Sequence, residues 1–470
     1  MQPTPFGLNL PYWIEDENFD LEYHVRHIAL PRPGDWREFC IQASRIHARP
    51  LNLNRPLWEI YVMGGLDGIA DLPAESFALL VKVHHAAVRR SMSIAAPISR
   101  RCCMTPLNVL RIMGRPRRGF PRSPPCGLSL LARTAFNAIA SPLNAARKLS
   151  RVLTSRAPTA RRLLLDLLFE PQSTTITRFN SVVSPHRVFD ARRFKLDDFK
   201  RIRTLAPGAT VNDAVLAVCA GSLRRYLAGK EELPATSLTA ALPIYVRLTK
   251  NRRKSGAGKD HPDVSWESIE IATHIADPVN RREAIRGRTA SSKVLAEAIG
   301  AKELTARGAP VPTAALALAS KLLARESAQR GNHTPLANCS VINVPGSPVP
   351  LYLNGARLTF FSAILPIADG MGLALAVTSC NGEIVISTSS CRHLLPDPDV
   401  FSQCVCETVE KYLGLAAKSA QTRRAEPVKS AAGPASAHHK STRPRRSAQP
   451  DATAPRVERG GRRPPTEPPD

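Results

Sequence analysis

The sequence predicts a mixed α/β protein built from two halves. Short apolar runs typical of strands alternate with helical patterns over most of the 470 residues, and no strict repeat relates them. Hydrophobic residues make up 43% of the chain, which is enough to form cores. No run approaches the roughly 18 to 20 apolar residues of a membrane-spanning helix, and the opening MQPTPFGLNLPYW does not read as a secretory signal. We therefore expect a soluble or peripheral protein that is made and kept in the cytoplasm.

The first half opens with an aromatic, acidic segment, after which strand and helix patterns alternate. HVRHIALPRPGD reads as a strand followed by a Pro/Gly turn, and Trp36–Ala48 has a helical pattern. RPLWEIYVMGGLDG predicts a strand that runs into a glycine turn. Ser76–His85 predicts a further strand, which is apolar at its start, is expected to be buried, and ends in two histidines.

The second half is predicted to begin near Arg178. Its first long helical pattern carries Asn212 and Asp213 in the first turn. An apolar strand, LTAALPIYVRL, follows this helix, and a helix-rich stretch covers about 281–328. The alternation continues the mixed pattern of the first half.

The C-terminal elements are predicted from their turn signals. CSVINVPGS reads as a strand that ends at Pro-Gly. The segment after it reads as strands with turns at Asp369-Gly370 and Asn381-Gly382, since Asp-Gly and Asn-Gly favour tight turns. A helix over Asp397–Leu415 is predicted to close the fold.

The net charge of +26 is concentrated in two places. From Ser76 to Leu165 the chain has 17 lysines and arginines and no acidic residue. A second basic zone begins near Lys418 and runs to the end of the chain. Because this zone is rich in Ala, Ser, Pro and Arg and poor in large apolar residues, we expect a disordered basic tail.

This charge distribution favours an anionic lipid surface as a partner. In LSLLARTAFNAIASPLNAARKLSRVL, basic residues lie between apolar positions at helical spacing, which is typical of amphipathic helices on membranes. Aromatic residues make up only 5% of the chain and no nucleic-acid reading module is recognisable, so we expect no specific nucleic acid. A plain solvated linker and the phosphates of an anionic coenzyme are the alternative explanations.

The ten cysteines form no C-x-x-C pair and have no zinc-binding spacing. Cysteines without such spacing usually serve as small buried hydrophobic residues in a reducing compartment. We therefore expect free thiols and no metal site.

The pair His84-His85 is the most informative dipeptide in the chain. A histidine at the end of a strand can act as a general base at neutral pH, because the imidazole titrates near pH 7. A pair of histidines taken alone is more often structural or exposed. The surrounding sequence decides between these interpretations.

Several blocks in the same order along the chain resemble the bacterial wax ester synthase/diacylglycerol acyltransferase family, within the coenzyme-A-dependent acyltransferase superfamily. The resemblance extends to about Leu415. The blocks are LPRPGD, PLNLNRPLWE, the strand ending in His84-His85, ATVNDAVLAV–LRRYL, LPIYVR, ADPVNRR, INVPGSPVPLYLNGAR, PIADGMGL and PDPDVF.

The resemblance implies two chloramphenicol-acetyltransferase-like subdomains with a tunnel between them. It also implies an HHxxxDG motif in which the second histidine, here His85, is the catalytic base. His85 would take the proton of a lipid hydroxyl as its oxygen attacks an acyl-coenzyme A thioester. His84 would be the supporting, structural first histidine. Asn212 and Asp213 match an Asn-Asp block near the subdomain interface, with helix capping as the alternative role.

The same resemblance implies substrates, partners and a place in the cell. Acyl-CoA enters as a substrate, so no cofactor is expected, and the acceptor is diacylglycerol or a long-chain alcohol. The products would be triacylglycerol or wax ester. The protein would lie at the inner face of the membrane or on lipid inclusions, in contact with an anionic membrane or lipid-droplet surface.

Four regions follow from these assignments. Residues 1–95 form the N-terminal acyltransferase subdomain with the histidine motif, and 96–177 form a basic linker with amphipathic helices. Residues 178–416 form the C-terminal subdomain, and 417–470 form the disordered basic tail.

The motif departs from the family where Asp and Gly are expected, because Arg89 and Arg90 occupy these places. Two adjacent guanidinium groups repel each other and disfavour a protonated imidazole nearby. Arg90 also lacks the conformational freedom of glycine. The alternative function is therefore that of a catalytically impaired, lipid-binding relative.

Two further departures concern the first half. The chain starts within a segment that family members reach only after an earlier strand and helix, so we expect a truncated N-terminal subdomain. The stretch SRRCCMTPLNVLRIMGRPRRGFPRSPP resembles the family poorly. Genuine divergence and a local reading-frame error both explain it.

Overall fold

The computed structural model describes residues 14–84, 174–246, 263–299 and 337–425. Most of the expected linker 96–177 lies outside the described residues, as do His85, Arg89 and Arg90. The described part of the chain has helices and strands in alternation, which confirms the mixed α/β class. None of the described helices is long and apolar enough to cross a membrane.

The described residues form six α-helices; the sequence pattern predicted neither the first nor the third of them, and it ended the last one too early. Side chains cap the starts of several of them: Asp35 accepts a hydrogen bond from the backbone N–H of Glu38 at 2.8 Å, and Thr210 caps the fourth helix. The helices are α1 Leu21–His24, α2 Trp36–Ala48, α3 Leu196–Arg203, α4 Val211–Gly229, α5 Pro278–Ile299 and α6 Pro398–Ala425.

The last helix corrects the predicted start of the tail. Helix α6 continues to Ala425, so residues 417–425, which were expected to be disordered, are helical. Ala, Lys, Gln and Arg in this segment are strong helix formers, and their propensity extends the helix beyond its last large apolar residues. The rest of the expected tail lies outside the described residues.

A three-stranded sheet forms the N-terminal half. It contains β1 Val25–Ala29, β2 Trp58–Gly64 and β3 Ala78–Val83 in that spatial order. Strand β1 runs parallel to β2, and β3 runs antiparallel to it. Strand β3 is therefore an edge strand of the described sheet, and none of its residues is fully buried. The prediction of a buried strand before the histidine pair is wrong for these residues.

A glycine fixes the turn after β1. Gly34 has φ of 71°, in the left-handed region that glycine adopts without strain. A Cβ atom at Gly34 would clash with the backbone carbonyl of Gly65. The Pro-Gly turn that the sequence predicts at this point thus brings the chain close to the end of β2.

A six-stranded mixed sheet forms the C-terminal half, in the order β4-β11-β10-β7-β5-β6. Strands β10 and β11 form the predicted hairpin, and its turn residues Asn381 and Gly382 both have positive φ, 48° and 81°. The strands are β4 Arg187–Lys195, β5 Thr239–Val246, β6 Asp263–Glu270, β7 Cys339–Pro345, β10 Ala374–Cys380 and β11 Glu383–Cys391, and a separate small hairpin is formed by β8 Tyr352–Leu353 and β9 Ala356–Arg357.

The main core lies between the six-stranded sheet and the helices of the C-terminal half. Every residue of α4 from Asp213 to Leu223 is buried, so this helix is enclosed on all sides. Helix α6 contributes Phe401, Val405 and Val409 to the same core. Such burial of a helix and a sheet face supplies the main hydrophobic stabilisation of this half.

A second apolar cluster joins the two halves. Helix α2 packs against β4, and Cys40 and Ala43 of the helix contact Phe189 and Ala191 of the strand. Leu80 of β3 packs against the same cluster. The N-terminal sheet is thereby held against the C-terminal sheet near the strand that leads to the histidine pair.

Candidate functional site

The end of β3 places His84 beside the start of β2. Val83 lies opposite Trp58 in the antiparallel register, and the backbone N–H of His84 donates to the carbonyl of Leu57 at 3.0 Å. The side chain of His84 is exposed. His85, the next residue, lies outside the described residues.

Polar side chains secure β3 against its neighbours. Glu59 lies opposite Lys82, is only 6% exposed, and accepts a hydrogen bond from the hydroxyl of Tyr61 at 2.8 Å. The guanidinium of Arg26 donates to the same hydroxyl at 2.8 Å. Burial and the hydrogen bond to Glu59 raise the pKa of Tyr61, so the phenol stays protonated as a donor.

Lys82 also connects β3 to the end of α2. Its ammonium donates to the carbonyl of Ile46 at 2.9 Å and to that of Arg49. Carbonyls at the end of a helix lack intrahelical partners, and a cation there also complements the helix dipole. Burial lowers the pKa of Lys82, while the nearby Glu59 opposes this effect. The end of β3 is thus fixed on both sides, by β2 and by α2.

His47, the penultimate residue of α2, connects this region to the C-terminal half. Its ring is hydrogen-bonded to the backbone of Leu365. Burial, with the nearby cations Lys82 and Arg187, lowers the pKa of His47 to about 4. The imidazole is therefore neutral at pH 7. Sequence reasoning missed His47, because a single histidine at the end of a helix carries no distinctive pattern.

A second histidine that sequence reasoning missed is enclosed by aromatic rings. His24 is fully buried, and its Nδ1 donates to the carbonyl of Trp58 at 2.6 Å. The ring centroid of His24 lies 5.3 Å from Phe19 and 4.6 Å from Trp58. Its Nε2 has no hydrogen-bond partner in the described part of the chain. The aromatic, acidic segment at the start of the first half could have indicated such an aromatic cluster, but nothing in that segment singled out His24.

A buried carboxylate fixes α2 against the C-terminal sheet. Asp190 of β4 is 5% exposed and accepts hydrogen bonds from the indole of Trp36 at 2.7 Å and from Arg192 at 2.8 Å. The thiol of Cys40 lies 3.8 Å from the same oxygen. Burial, with the nearby charge of Asp190, strongly raises the pKa of Cys40, so this thiol is not nucleophilic.

Asn212 and Asp213 have different environments. Asn212 is exposed on the first turn of α4. Asp213 is buried, accepts hydrogen bonds from the backbone and hydroxyl of Thr210 at 2.7 Å each, and accepts another from Thr289 of α5 at 2.9 Å. With the return bond from the N–H of Asp213 to Thr210 at 3.2 Å, this is a capping box. The geometry of Asp213 matches the helix-capping alternative.

The cysteines and the possible metal ligands within the described residues add no further site. The seven described cysteines are free thiols, of which Cys40, Cys219, Cys339, Cys391 and Cys404 are buried. The structure shows no group of three or more His, Cys, Asp or Glu side chains suited to a metal ion among the residues that it describes.

Comparison with protein families gives two matches that together cover most of the chain. The family "Wax ester synthase/diacylglycerol acyltransferase catalytic domain" matches residues 1–215. The family "WS/DGAT C-terminal domain" matches residues 263–412. The first match includes the strand with the histidine pair and the capped start of α4.

Individual relatives agree with these matches. The O-acyltransferase WSD of Acinetobacter baylyi is 30% identical over 90% of this chain and 88% of its own length. A protein of Mycobacterium tuberculosis, provisionally named a diacylglycerol O-acyltransferase, is 30% identical over 87% of this chain and 78% of its own length. The solved structure of the wax ester synthase/diacylglycerol acyltransferase of Marinobacter aquaeolei covers 88% of this chain and 86% of its own, with 24% identity and a TM-score of 0.60. This last similarity shows a shared fold.

Proposed function

The chain belongs to the wax ester synthase/diacylglycerol acyltransferase family, and from this premise we propose that it moves a fatty acyl group from acyl-CoA to a lipid hydroxyl. The acceptor is diacylglycerol, which yields triacylglycerol, or a long-chain alcohol, which yields a wax ester. His85 is the general base of this proposal. Acyl-CoA is consumed as a substrate, and the reaction needs no resident cofactor.

One observation carries the proposal. The backbone N–H of His84, the residue before His85, donates a hydrogen bond to the carbonyl of Leu57 and so holds His84 in place. Lys82, two residues before His84, is bonded to the end of α2, and Leu80 packs in the cluster that joins the halves. A catalytic base needs such a rigid support, because a misplaced base loses much of its effect. The end of β3 lies beside the cluster that joins the two halves. This position supports a reaction between two substrates that enter at the junction of the halves.

The proposed chemistry is acyl transfer through a tetrahedral intermediate. The imidazole of His85 removes the proton from the acceptor hydroxyl as the hydroxyl oxygen attacks the thioester carbonyl. The C–O bond forms while the carbonyl becomes an oxyanion, which hydrogen-bond donors stabilise. The intermediate then collapses, the C–S bond breaks, and the imidazolium returns its proton to the leaving coenzyme thiolate. The products are the ester and free coenzyme A.

The test compares two neighbouring histidines. Purified protein is given labelled acyl-CoA with diacylglycerol or a long-chain alcohol, and neutral lipid and released thiol are measured. We expect His85→Ala to lower turnover by at least about 100-fold, the contribution typical of a general base. His84→Ala is the matched control, and a smaller loss is expected for it. Equal product from His85→Ala and the unmodified protein would refute the assignment of the base.

The second candidate function is a lipid-binding relative with impaired catalysis. Arg89 and Arg90 in the places of the motif's Asp and Gly favour it. Reversion by Arg89→Asp with Arg90→Gly distinguishes the two functions. A strong rise in turnover supports an impaired native site, and unchanged turnover supports an active site that tolerates arginine.

The location at an anionic membrane or lipid-droplet surface is part of the same proposal. The acceptor lipids partition into such surfaces, and the chain is strongly basic, with a net charge of +26. Flotation with anionic and with neutral vesicles, at low and high salt, tests this location. Binding that requires anionic lipid and weakens with salt supports it, and binding to neither kind of vesicle contradicts it.

A further inference from the structure

A basic pocket lies among the helices of the C-terminal half, on residues that the acyl-transfer proposal does not use. It has a cavity volume of about 270 Å³ and is formed by α4, by the start of α5 with the loop before it, and by α6. Its cationic lining residues are Arg224, Arg225, Arg281 and Lys411.

The charges of this pocket are not balanced by its own lining. No Asp or Glu is among the lining residues. Outside the lining, Glu407 accepts a hydrogen bond from Arg225 at 2.8 Å and the charge of Asp277 acts on Arg281, whereas Lys411 has no ion-pair partner among the described residues. A concave surface lined by one sign of charge focuses the electrostatic potential and attracts a counter-ion.

Two of the guanidinium groups are held rigidly by consecutive backbone carbonyls. Nη1 of Arg224 donates to the carbonyls of Thr273 and His274, at 2.7 and 3.1 Å. Arg281 donates to the next two carbonyls, those of Ile275 at 3.0 Å and Ala276 at 2.9 Å. The loop 273–276 therefore fixes both arginines before any ligand arrives, which reduces the entropy lost on binding.

Arg281 lines the pocket and is only 4% exposed. Burial lowers its pKa, Tyr412 and Asp277 oppose this effect, and the neighbouring cations Arg224 and Arg225 lower the pKa further. Gly221 leaves room for Arg281, because a Cβ atom there would lie 2.8 Å from its Nη1. A buried cation beside like charges is stabilised when an anion binds to it.

We propose that the pocket formed by Arg224, Arg225, Arg281 and Lys411 binds a phosphate group. Phosphate oxygens accept several charge-assisted hydrogen bonds at once, and arginine matches their geometry with paired N–H donors. Pockets for drug-sized ligands have volumes of roughly 300–1,000 Å³. The smaller volume of this pocket fits a phosphate group with a small substituent. The source is either a soluble phosphate ester or the headgroup of a phospholipid.

Variants of two lysines on one helix test the proposal. Lys411 is exposed on α6 and lines the pocket, whereas Lys418, also exposed, lies two turns further along α6 and does not line the pocket. Lys411→Ala and the control Lys418→Ala remove the same charge, and both leave the basic C-terminal segment intact. A second variant, Ala228→Glu, adds a carboxylate at an exposed lining position.

Calorimetric titrations use the full chain with inorganic phosphate, with glycerol 3-phosphate, and with neutral glycerol. We expect both phosphates to bind and glycerol not to bind. We expect Lys411→Ala to weaken phosphate binding about tenfold, the effect of losing one charged hydrogen bond, and Ala228→Glu to abolish it. Lys418→Ala should bind like the unmodified protein. Equal affinity in the two lysine variants, or no phosphate binding by the unmodified chain, would overturn the proposal.

Vesicle flotation distinguishes the two sources of phosphate. Vesicles of phosphatidylcholine are prepared with and without phosphatidic acid. A loss of binding to phosphatidic acid in Lys411→Ala but not in Lys418→Ala identifies a phospholipid headgroup as the source. Lys411-dependent binding of glycerol 3-phosphate with equal flotation of both variants identifies a soluble ester. Thermal unfolding of each variant without ligand shows whether the substitutions leave the fold intact.

Discussion

The indole of Trp36 on α2 donates a 2.7 Å hydrogen bond to the carboxylate of Asp190 on β4, a residue 154 positions away in the chain. The contact joins the N-terminal half of the protein to an edge strand of the six-stranded sheet. Because Asp190 is almost fully buried, each donor to its carboxylate offsets part of the cost of removing the charge from water.

Replacement of this indole tests its contribution to stability. We expect Trp36→Phe to lower the free energy of unfolding by about 1–2 kcal/mol, because a buried carboxylate loses one of its donors. The control is Trp58→Phe, since the indole nitrogen of Trp58 makes no hydrogen bond to the described residues. Denaturant unfolding followed by circular dichroism measures both variants. A smaller loss in Trp36→Phe than in Trp58→Phe would contradict this contribution.

The neutral imidazole of His47 predicts a pH dependence of stability. Its pKa in the folded protein, about 4, lies below the ordinary value of 6.5, so the unfolded chain binds more protons between these values. The contribution of His47 is fully present above pH 6.5 and is lost as the pH falls towards 4, with a total of at most about 3 kcal/mol. Unfolding at a series of pH values measures it. We expect His47→Gln to flatten this part of the profile, and an unchanged slope in the variant would exclude His47 as its source.

Replacing a residue of a buried pair of amides should cost more stability than replacing Asn212, the exposed asparagine that the sequence analysis singled out. Asn180 donates to the carbonyls of Ala337 and Gly370, at 3.0 and 2.9 Å, and accepts from Asn338 at 2.8 Å. We expect Asn180→Ala to cost about 2–3 kcal/mol of stability, because several buried groups lose their partners. Asn212→Ala, an exposed control, should stay within about 0.5 kcal/mol of the unmodified protein. Equal midpoints of thermal unfolding would refute this difference.

A second pH effect is expected at lower pH, from the start of α6. Burial opposes ionisation of Asp397, but the hydrogen bonds from Lys230 and from Tyr226 outweigh it, and the pKa of Asp397 lies below its usual value. The stabilisation is therefore present above the unfolded-state pKa, near 4, and is lost as the pH falls through the folded value. We expect Asp397→Asn to be less stable at neutral pH, with the difference shrinking in acid. Acid titrations of both proteins, followed by fluorescence, measure this, and a constant difference would contradict it.

The elements with strong local signals could be predicted from the sequence. The helix Trp36–Ala48 has the predicted bounds, and the Asn381-Gly382 turn forms a hairpin. The failures arose where local composition was misleading. The apolar content of Ser76–His85 suggested a buried strand, although β3 lies at an edge of the described sheet. Apart from the start of the tail, the predicted domain boundaries stay predictions, and so do the roles of His84 and His85.

The amino-acid sequence alone determined the alternation of elements, the order of the family blocks and the position of the histidine pair at a strand end, because these properties depend on neighbours a few residues apart. Only the tertiary structure brought together Trp36 with Asp190 and His47 with Leu365, and gathered the arginines of α4 and α5 around one pocket. These partners are far apart in the chain. Whether they come into contact depends on how the sheets and helices pack, and the spacing of residues along the chain does not show that packing.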